Sequence, residues 1–254
     1  MMTSPVVEHN RKESSASWRL LLAFTFLLLA TMALYFFLHS SVFGVKEVVV
    51  EGNQSLRAEE IIRLTGVVPG TNIFLLNDEQ ILSRLYLNPI LESVEIVRKL
   101  PNQLLVQVQE RVPCALLPVT AGFVVVDSKG IYLTRVGNMI EINRPVITGC
   151  EISPEVLPGQ VLSEAMLLQF LPVLEQMDTE TIQLISEINL SHPESIKVVT
   201  LDGIEIRVGN LDHFRDNLEL FKQVLTMNLK RTGNHPVEYV DMSFKGSPVV
   251  KFAQ

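Results

Sequence analysis

The chain has 254 residues, of which 21 are Lys or Arg and 28 are Asp or Glu, giving a formal net charge of −7. That length can bury a core without a disulfide framework, and 19% charged residues with 13 Gly and 13 Pro exclude wholesale disorder. The acidic balance excludes a nucleic-acid binder, which needs a basic face. Two Cys exclude a Cys-rich zinc site, and one long apolar run excludes a multi-span transporter.

Residues 20–38, from Leu20 to Leu38, contain no charge. As a helix they are about 28 Å long, close to the hydrocarbon thickness of a bilayer. Thr25 and Thr31 are polar, and in a helix each hydroxyl can bond back to the preceding turn. A cleaved signal peptide is the competing reading. The run is longer than the usual apolar region of one, ends in bulky Phe36, Phe37 and Leu38, and has no small-residue cleavage pattern after it. It therefore reads as a retained transmembrane helix lying in the lipid bilayer. Arg11, Lys12 and Arg19 precede it and only Lys46 follows closely, so the excess of cations keeps the N-terminus in the cytoplasm. Residues 1–19 are then a cytoplasmic tail, 20–41 the membrane segment, and the rest lies outside the cytoplasm. Setting aside Glu8, Arg11, Lys12, Glu13 and Arg19 leaves 18 basic and 26 acidic residues beyond the tail, a formal charge of −8. An acidic surface facing anionic lipid headgroups should not be drawn onto the membrane.

Residues 45–51 are rich in Val and read as a strand that Gly52-Asn53 ends. Ser55 is placed to cap a helix over 57–65, closed by Gly66. Asn77 is placed to cap a second helix over 78–87, with Gln80 at capping-box spacing and Ile81, Leu82 and Leu85 as its buried stripe. Asn88-Pro89 stops it. Strands follow at 93–99 and 104–110, joined at Pro101-Asn102. In the second, Leu104, Val106 and Val108 alternate with Leu105, Gln107 and Gln109, which predicts one buried face. The order β-α-α-β-β makes an α+β layer, with two helices on one face of a small sheet.

These residues resemble a POTRA domain of the FtsQ/DivIB family of bacterial cell-division proteins. The resemblance is carried by the strand-Gly-Asn opening at 48–53, the segment 70–77, and a closing run with Arg98, Pro101, Glu110, Arg111 and Pro113. It extends over nearly the whole chain, and it implies a POTRA domain over 42–111 and a mixed, sheet-rich β domain over 112–254.

In that second domain, residues 123–127 form a strand that Ser128-Lys129-Gly130 turns into 131–134, an arrangement also similar to the family. A short strand follows at 146–148. Ser163 is placed to cap a helix to about Met177, with Leu167, Phe170, Leu171 and Leu174 on one face and Pro172 inside it. Strands 195–201 and 204–208 flank Asp202-Gly203, a strong hairpin signal. Asp212 opens a helix to about Lys230 with Phe214, Leu218, Phe221 and Leu225 as its stripe. The last strands are 238–244 and 248–252.

The residues give little chemistry. Among the five His, His235 has a metal-type neighbour in Glu238, and Pro236 keeps the pair off a helix. There is no G-x-S-x-G elbow, and the Gly66 to Gly70 spacing lacks the Lys of a phosphate loop. Glu59-Glu60 and Asp78-Glu79 sit in first helical turns, where the helix dipole accounts for them. Cys114 and Cys150 lie outside the cytoplasm in this topology, where a mutual disulfide can persist; the resemblance to the family, which often has a plain aliphatic residue at position 114, implies instead a small buried hydrophobe there. The chain is thus expected to be no enzyme, with no cofactor, no metal and no small-molecule substrate, and to act by binding.

The resource it offers for binding is sheet edge. Residues 248–252 are apolar and lie at the very end of the sequence, so the strand is expected to leave its edge open for β-augmentation. The resemblance implies a divisome scaffold at the septum, a single-pass type II membrane protein that helps assemble and regulate septal peptidoglycan synthesis. It implies FtsB/DivIC-like and FtsL-like partners bound at an edge formed by Phe244, Gly246, Ser247, Pro248, Val249, Val250 and Phe252. Family members often carry Arg where this chain has Ser243, so a contact made by that Arg is missing here. The resemblance also implies partner contacts on the POTRA domain, without pointing to residues. A membrane-anchored POTRA chaperone of a secretion pathway and an anchored cell-wall enzyme are the alternatives. The first normally has several POTRA units or a transmembrane barrel, and the second needs a catalytic constellation.

Overall fold

The computed structural model describes residues 14–139, 142–227 and 236–253. Helix α1 (Ser14–Leu38) includes the whole apolar run, and from Trp18 to Phe37 every side chain is exposed. Thr25 donates to the Leu21 carbonyl and Thr31 to the Leu28 carbonyl, each at 2.9 Å, so both hydroxyls are satisfied within the helix. Arg19 lies in the helix directly before the apolar run. Arg11 and Lys12 lie outside the described residues.

Two compact units follow from the packing. The first comprises the described residues up to Glu51 with Leu56–Leu82 and Glu95–Gln107; the second comprises Gly52–Ser55, Ser83–Val94 and the described residues from Val108 on. The small sheet has the strand order β1 (Glu47–Glu51), β3 (Gln103–Glu110), β2 (Leu91–Lys99), with β1 parallel to β3 in the register Val48 to Leu104 and Val50 to Val106. Helices α2 (Ala58–Thr65) and α3 (Asp78–Leu85) complete the β-α-α-β-β order. Ile61 of α2, Ile73, Ile81 of α3, Leu104 and Val106 are buried. Leu82 is only half-buried, and Leu105 is buried although its face was expected to be open.

Asn77 caps α3 as its position predicts, accepting from the Gln80 N–H at 3.1 Å. Ser55 does not cap α2. Arg57 holds that position with no side-chain bond, and the N–H groups of Gln54 and Ser55 donate instead to the Glu110 carboxylate at 2.8 Å, joined by the Ser55 hydroxyl. A charged acceptor outcompetes a neutral helix-end contact for the same hydroxyl. Gly66 closes α2 with φ 65°, and Gly52 turns at φ 89°, where a Cβ would run into the Val108 carbonyl oxygen.

The second unit is one nine-stranded sheet. Its strands are β4 (Ala115–Val119), β5 (Gly122–Val126), β6 (Tyr132–Val136), β7 (Val146–Thr148), β8 (Ile185–Asn189), β9 (Ile196–Thr200), β10 (Glu205–Gly209), β11 (Val237–Asp241) and β12 (Val249–Phe252). Their spatial order is β12-β11-β10-β9-β8-β7-β4-β5-β6. Three pairs are parallel, β4 with β7, β7 with β8, and β10 with β11; the others are antiparallel. Strands β4 and β8 have no counterpart in the sequence reading. β4 contains Pro118, and β8 (ISEIN) is short and half polar.

One sheet face is covered by α4 (Ala165–Glu175), α5 (Thr179–Ile182), α6 (Leu211–Asp216) and α7 (Leu218–Thr226), whose apolar residues share one core with the sheet. Phe170 stacks on Phe214 at 5.5 Å with the rings 6° from parallel, and Phe221 meets Phe214 edge-on at 4.9 Å. Alternate residues Leu116, Val125, Leu133, Val136 and Val146 build a smaller cluster. Glu164, not Ser163, holds the N-cap position of α4, and Pro172 lies inside that helix. The single helix expected from Asp212 is two. Asn210 caps α6 through the His213 N–H at 2.9 Å, and at Asn217 the side-chain amide donates to the His213 carbonyl at 2.9 Å, breaking the helical course before α7. Helix α7 ends at Thr226; the expected continuation to Lys230 falls outside the described residues.

Asp127 orders the β5–β6 turn. Its Oδ1 accepts from the N–H groups of Lys129 and Ile131 at 3.0 and 2.8 Å, and its Oδ2 from Arg111 at 3.0 Å. Arg111 also faces Glu92 at 3.8 Å, and Lys129 reaches Glu92 at 2.6 Å. The Lys129 contact, against a small opposing effect of burial, holds the Glu92 carboxyl below its ordinary range.

Phe221 is fully buried against Phe214. Phe221→Ala should lower the unfolding free energy of the second unit by about 3–5 kcal/mol, read as a shifted midpoint in urea denaturation of the chain in detergent. An unchanged midpoint would show that the aromatic stack does not hold the helices to the sheet.

Candidate partner-binding edge

The last three strands set the geometry of one sheet edge. Asp202-Gly203 turns β9 into β10, with Val198 opposite Ile206. β11 lies parallel to β10 with Ile206 opposite Val240, and β12 returns antiparallel with Val240 opposite Val250 and Asp241 opposite Val249. β12 is the first strand of the sheet and has a neighbour on one side only. The Ala253 N–H donates inward to the Pro236 carbonyl at 2.9 Å. Backbone groups alternate in direction along a strand. Lys251 and Val249 therefore also point inward to β11, while Val250 and Phe252 turn their N–H and C=O groups outward. Among the described residues no backbone group pairs with that outer row.

The opposite edge, β6, is not open in this way. Tyr132 donates to the Gln160 carbonyl at 2.9 Å, the Gly159 N–H donates to the Tyr132 carbonyl at 2.8 Å, and Ile131 bridges Val161. A loop thus covers the start of β6.

Side chains on the two faces of β12 differ. Val250 is half-buried and packs on the main core with Val237. Val249 and Lys251 lie on the other face, which is polar. There Lys197 approaches Glu205 at 3.6 Å, Arg207 pairs with Glu205 at 2.7 Å, and Lys251 pairs with Glu238 at 3.2 Å. The Arg207 guanidinium lies 3.8 Å from the Tyr239 ring centre and the Lys251 ammonium 5.3 Å from it. The hydrogen bond from Arg207 depresses the Glu205 carboxyl below its usual range and raises the Arg207 guanidinium.

The chain leaves β11 earlier than its sequence suggests. The strand ends at Asp241, not Phe244, because Asp241 Oδ1 accepts from both the N–H and the hydroxyl of Ser243, at 2.9 and 2.7 Å. Burial opposes ionisation of Asp241, but the Ser243 bonds and Arg207 together hold its carboxyl below the ordinary range. Ser243, which stands where an Arg was considered, thus has an intramolecular role. Met242 donates to the Arg207 carbonyl at 2.8 Å and accepts from His213 Nε2 at 2.6 Å, tying α6 to the strand end.

The sequence-predicted edge residues fall as follows. Phe244 is 45% exposed in the loop between β11 and β12, with Gly246 and Ser247 exposed beside it. Pro248 is half-buried directly before β12, Val249 is exposed, and Phe252 is exposed at the strand's end. Tyr239, Arg207 and Lys251 join the same region and were not singled out. For Arg207 the signal is the alternation of charged and apolar residues in 205–208; Tyr239 and Lys251 join it only through the pairing of β10, β11 and β12.

Among the described residues no group of three His, Cys, Asp or Glu side chains could hold a metal ion. His235 lies outside them. Cys114 and Cys150 are free thiols; burial pushes the Cys114 thiol up to about 12 and the Cys150 thiol up to about 11.

Residues 43–111 match the family model described as a POTRA domain, FtsQ-type, and residues 115–243 match that for the cell division protein FtsQ/DivIB C-terminal region. The second match ends before Phe244 and β12. The chain is 28% identical over 216 residues to the cell division protein FtsQ of Syntrophotalea carbinolica, covering 84% of this chain and 75% of the relative. It is 25% identical over 215 residues to the cell division protein DivIB of Clostridium acetobutylicum, covering 84% of each. Among solved structures, the major extracytoplasmic domain of DivIB from Geobacillus stearothermophilus, in its trans isomer, aligns with a TM-score of 0.36 and 17% identity over 50% of this chain and 99% of that one.

The alternation along β12 makes an internal test of the edge. Lys251→Pro removes a donor aimed at β11 and should cost about 1–3 kcal/mol of stability, whereas Val250→Pro removes an outward donor and should cost clearly less. Thermal melts of the two variants check this. Equal losses would place Val250 inside the ladder.

Proposed function

The chain belongs to the FtsQ/DivIB family of cell division proteins, and from that premise we propose that it is a non-enzymatic divisome scaffold. In this reading α1 spans the cell membrane with the N-terminus in the cytoplasm. A POTRA domain over 42–111 and a β domain over 112–254 lie outside it, at the division septum. The scaffold captures the exported ends of FtsB/DivIC-like and FtsL-like membrane proteins and so helps assemble and regulate septal peptidoglycan synthesis. The observation that carries the binding role is the unpaired outer row of β12, with Val250 and Phe252 presenting backbone donors and acceptors. A partner strand laid along it gains main-chain hydrogen bonds and continues the sheet. Phe244, Gly246, Ser247, Pro248 and Val249 form the approach to that row, with the exposed Phe244 ring as an anchor for a partner side chain.

Binding of a DivIC-like exported segment to the full chain in detergent should fall roughly ten- to hundredfold for Val250→Pro, from one blocked backbone contact of about 1–3 kcal/mol. Phe244→Ala should weaken it with little change in stability. Wild-type affinity in both folded variants would move the site away from β12.

Membrane orientation has its own readout. A reporter that fluoresces only in the cytoplasm should be bright when fused before Ser17 and dark when fused after Gln254. A bright C-terminal fusion would overturn the exported reading.

A further inference from the structure

The first unit ends, where α1 leaves it, in apolar side chains that its own core does not bury. Three chain segments meet there. The linker from α1 to β1 contains a 3-10 turn (Ser41–Phe43) and is bonded along its length. Asn72 donates its side-chain N–H to the Leu38 carbonyl at 2.7 Å, satisfying a carbonyl of the last turn of α1. Val45 donates to the Thr71 carbonyl at 2.9 Å, Gly70 to the Val45 carbonyl at 2.8 Å, and Lys46 to the Asn102 carbonyl at 2.8 Å. The loop before α3 and the turn between β2 and β3 are thereby held against the exit of the helix. Rings continue the contact, Phe37 of α1 against Phe43 at 5.2 Å and Phe43 against Phe74 at 5.1 Å, so Phe74 lies within about 10 Å of the apolar run.

The loop that carries Phe74 is clamped. Arg98 donates to the Ile73 carbonyl at 3.0 Å, to the Leu76 carbonyl at 3.0 Å, and through two nitrogens to the Asp78 carboxylate at 2.9 and 2.7 Å. Ile73 is buried beneath it. Phe74 and Leu75 are therefore held outward, 45% and 65% exposed, and Leu100 at the neighbouring turn is 58% exposed; Val42 and Val68 are exposed as well. Lys46 of the linker and Lys99 beside the turn are exposed cations of the same segments.

We propose that this collar is an interfacial lipid contact. Phe74, Leu75 and Leu100, with Val42 and Val68, enter the boundary between headgroups and acyl chains of the leaflet from which the unit projects, and Lys46 and Lys99 lie among anionic headgroups. The inference rests on α1 spanning the membrane and goes beyond partner binding. Its grounds are continuity and charge. The collar joins the helix end through a hydrogen bond and two ring contacts, and apolar side chains with flanking cations are what a bilayer interface accepts. The formal charge of −8 on the exported part does not oppose it, because charges farther off than about 10 Å are screened at cellular salt. The unit would then be seated on the bilayer rather than swinging on a tether.

The test uses the full chain in vesicles of phosphatidylcholine and phosphatidylglycerol with bromine on the acyl chains. Trp18 is replaced by Phe, and a single Trp is placed by Phe74→Trp, Leu75→Trp, Leu100→Trp or, at the far end of β1, Glu51→Trp. Flotation of each sample reports insertion of α1. We expect Trp at 74, 75 and 100 to lose roughly half or more of its emission and shift to the blue, and Trp at 51 to be little affected, since interfacial residues sit about 5–10 Å into the boundary. Adding Phe74→Asp and Leu75→Asp should restore emission at 100 without loss of flotation. Floated chains whose collar Trp is not quenched overturn the lipid contact, and a blue-shifted but unquenched Trp assigns the collar to a second copy of the chain. Chains that do not float overturn the anchor and the contact with it.

Discussion

The stack of Phe170, Phe214 and Phe221 is the contact on which the second unit depends. The sheet carries an apolar face across nine strands, and that face is stable only under a cover. Helices α4, α6 and α7 are that cover, and they reach the sheet through these three rings. Val240 and Met242 join the same core, and Val250 packs on its margin. The outermost strands are therefore positioned by the packing of Val240, Met242 and Val250 on that core.

A sheet of this width has two ends, and the protein treats them differently. At β6 the loop with Gly159 and Gln160 supplies backbone partners. At β12 no backbone group among the described residues pairs with the outer row, and Lys251, the short strand and Pro248 before it protect that row from indiscriminate pairing. Those are devices against aggregation that still leave room for a chosen strand. The polar face beside it is internally paired through Glu205, Arg207, Tyr239 and Lys251, so a partner meets an ordered surface with little side-chain entropy left to lose.

The same economy marks the closing run of the first domain. Arg98 holds a loop by its carbonyls, Glu110 gathers the N–H groups of Gln54 and Ser55, and Arg111 meets the buried Asp127. Each charged side chain satisfies backbone or an opposite charge that would be costly to bury alone. Residues that stand out in the sequence as a family pattern thus serve architecture, holding loops and strand ends in place.

Elements with a strong local pattern were legible from the amino-acid order alone. The 19 uncharged residues of the anchor, the β-α-α-β-β order, the Asp202-Gly203 hairpin and the Phe214, Leu218, Phe221, Leu225 stripe all follow from periodicity and turn chemistry, which act within a few residues. What depends on distant neighbours was not legible. Ser55 gave up its cap to Glu110, 55 residues away. β8 is half polar and becomes a strand only because β7 and β9 flank it. The position of β12 at the end of the sheet likewise belongs to the tertiary structure. A run of five residues states that it is extended and apolar, but which strand it joins, and which of its N–H groups face outward, is decided by long-range pairing whose register no local propensity encodes.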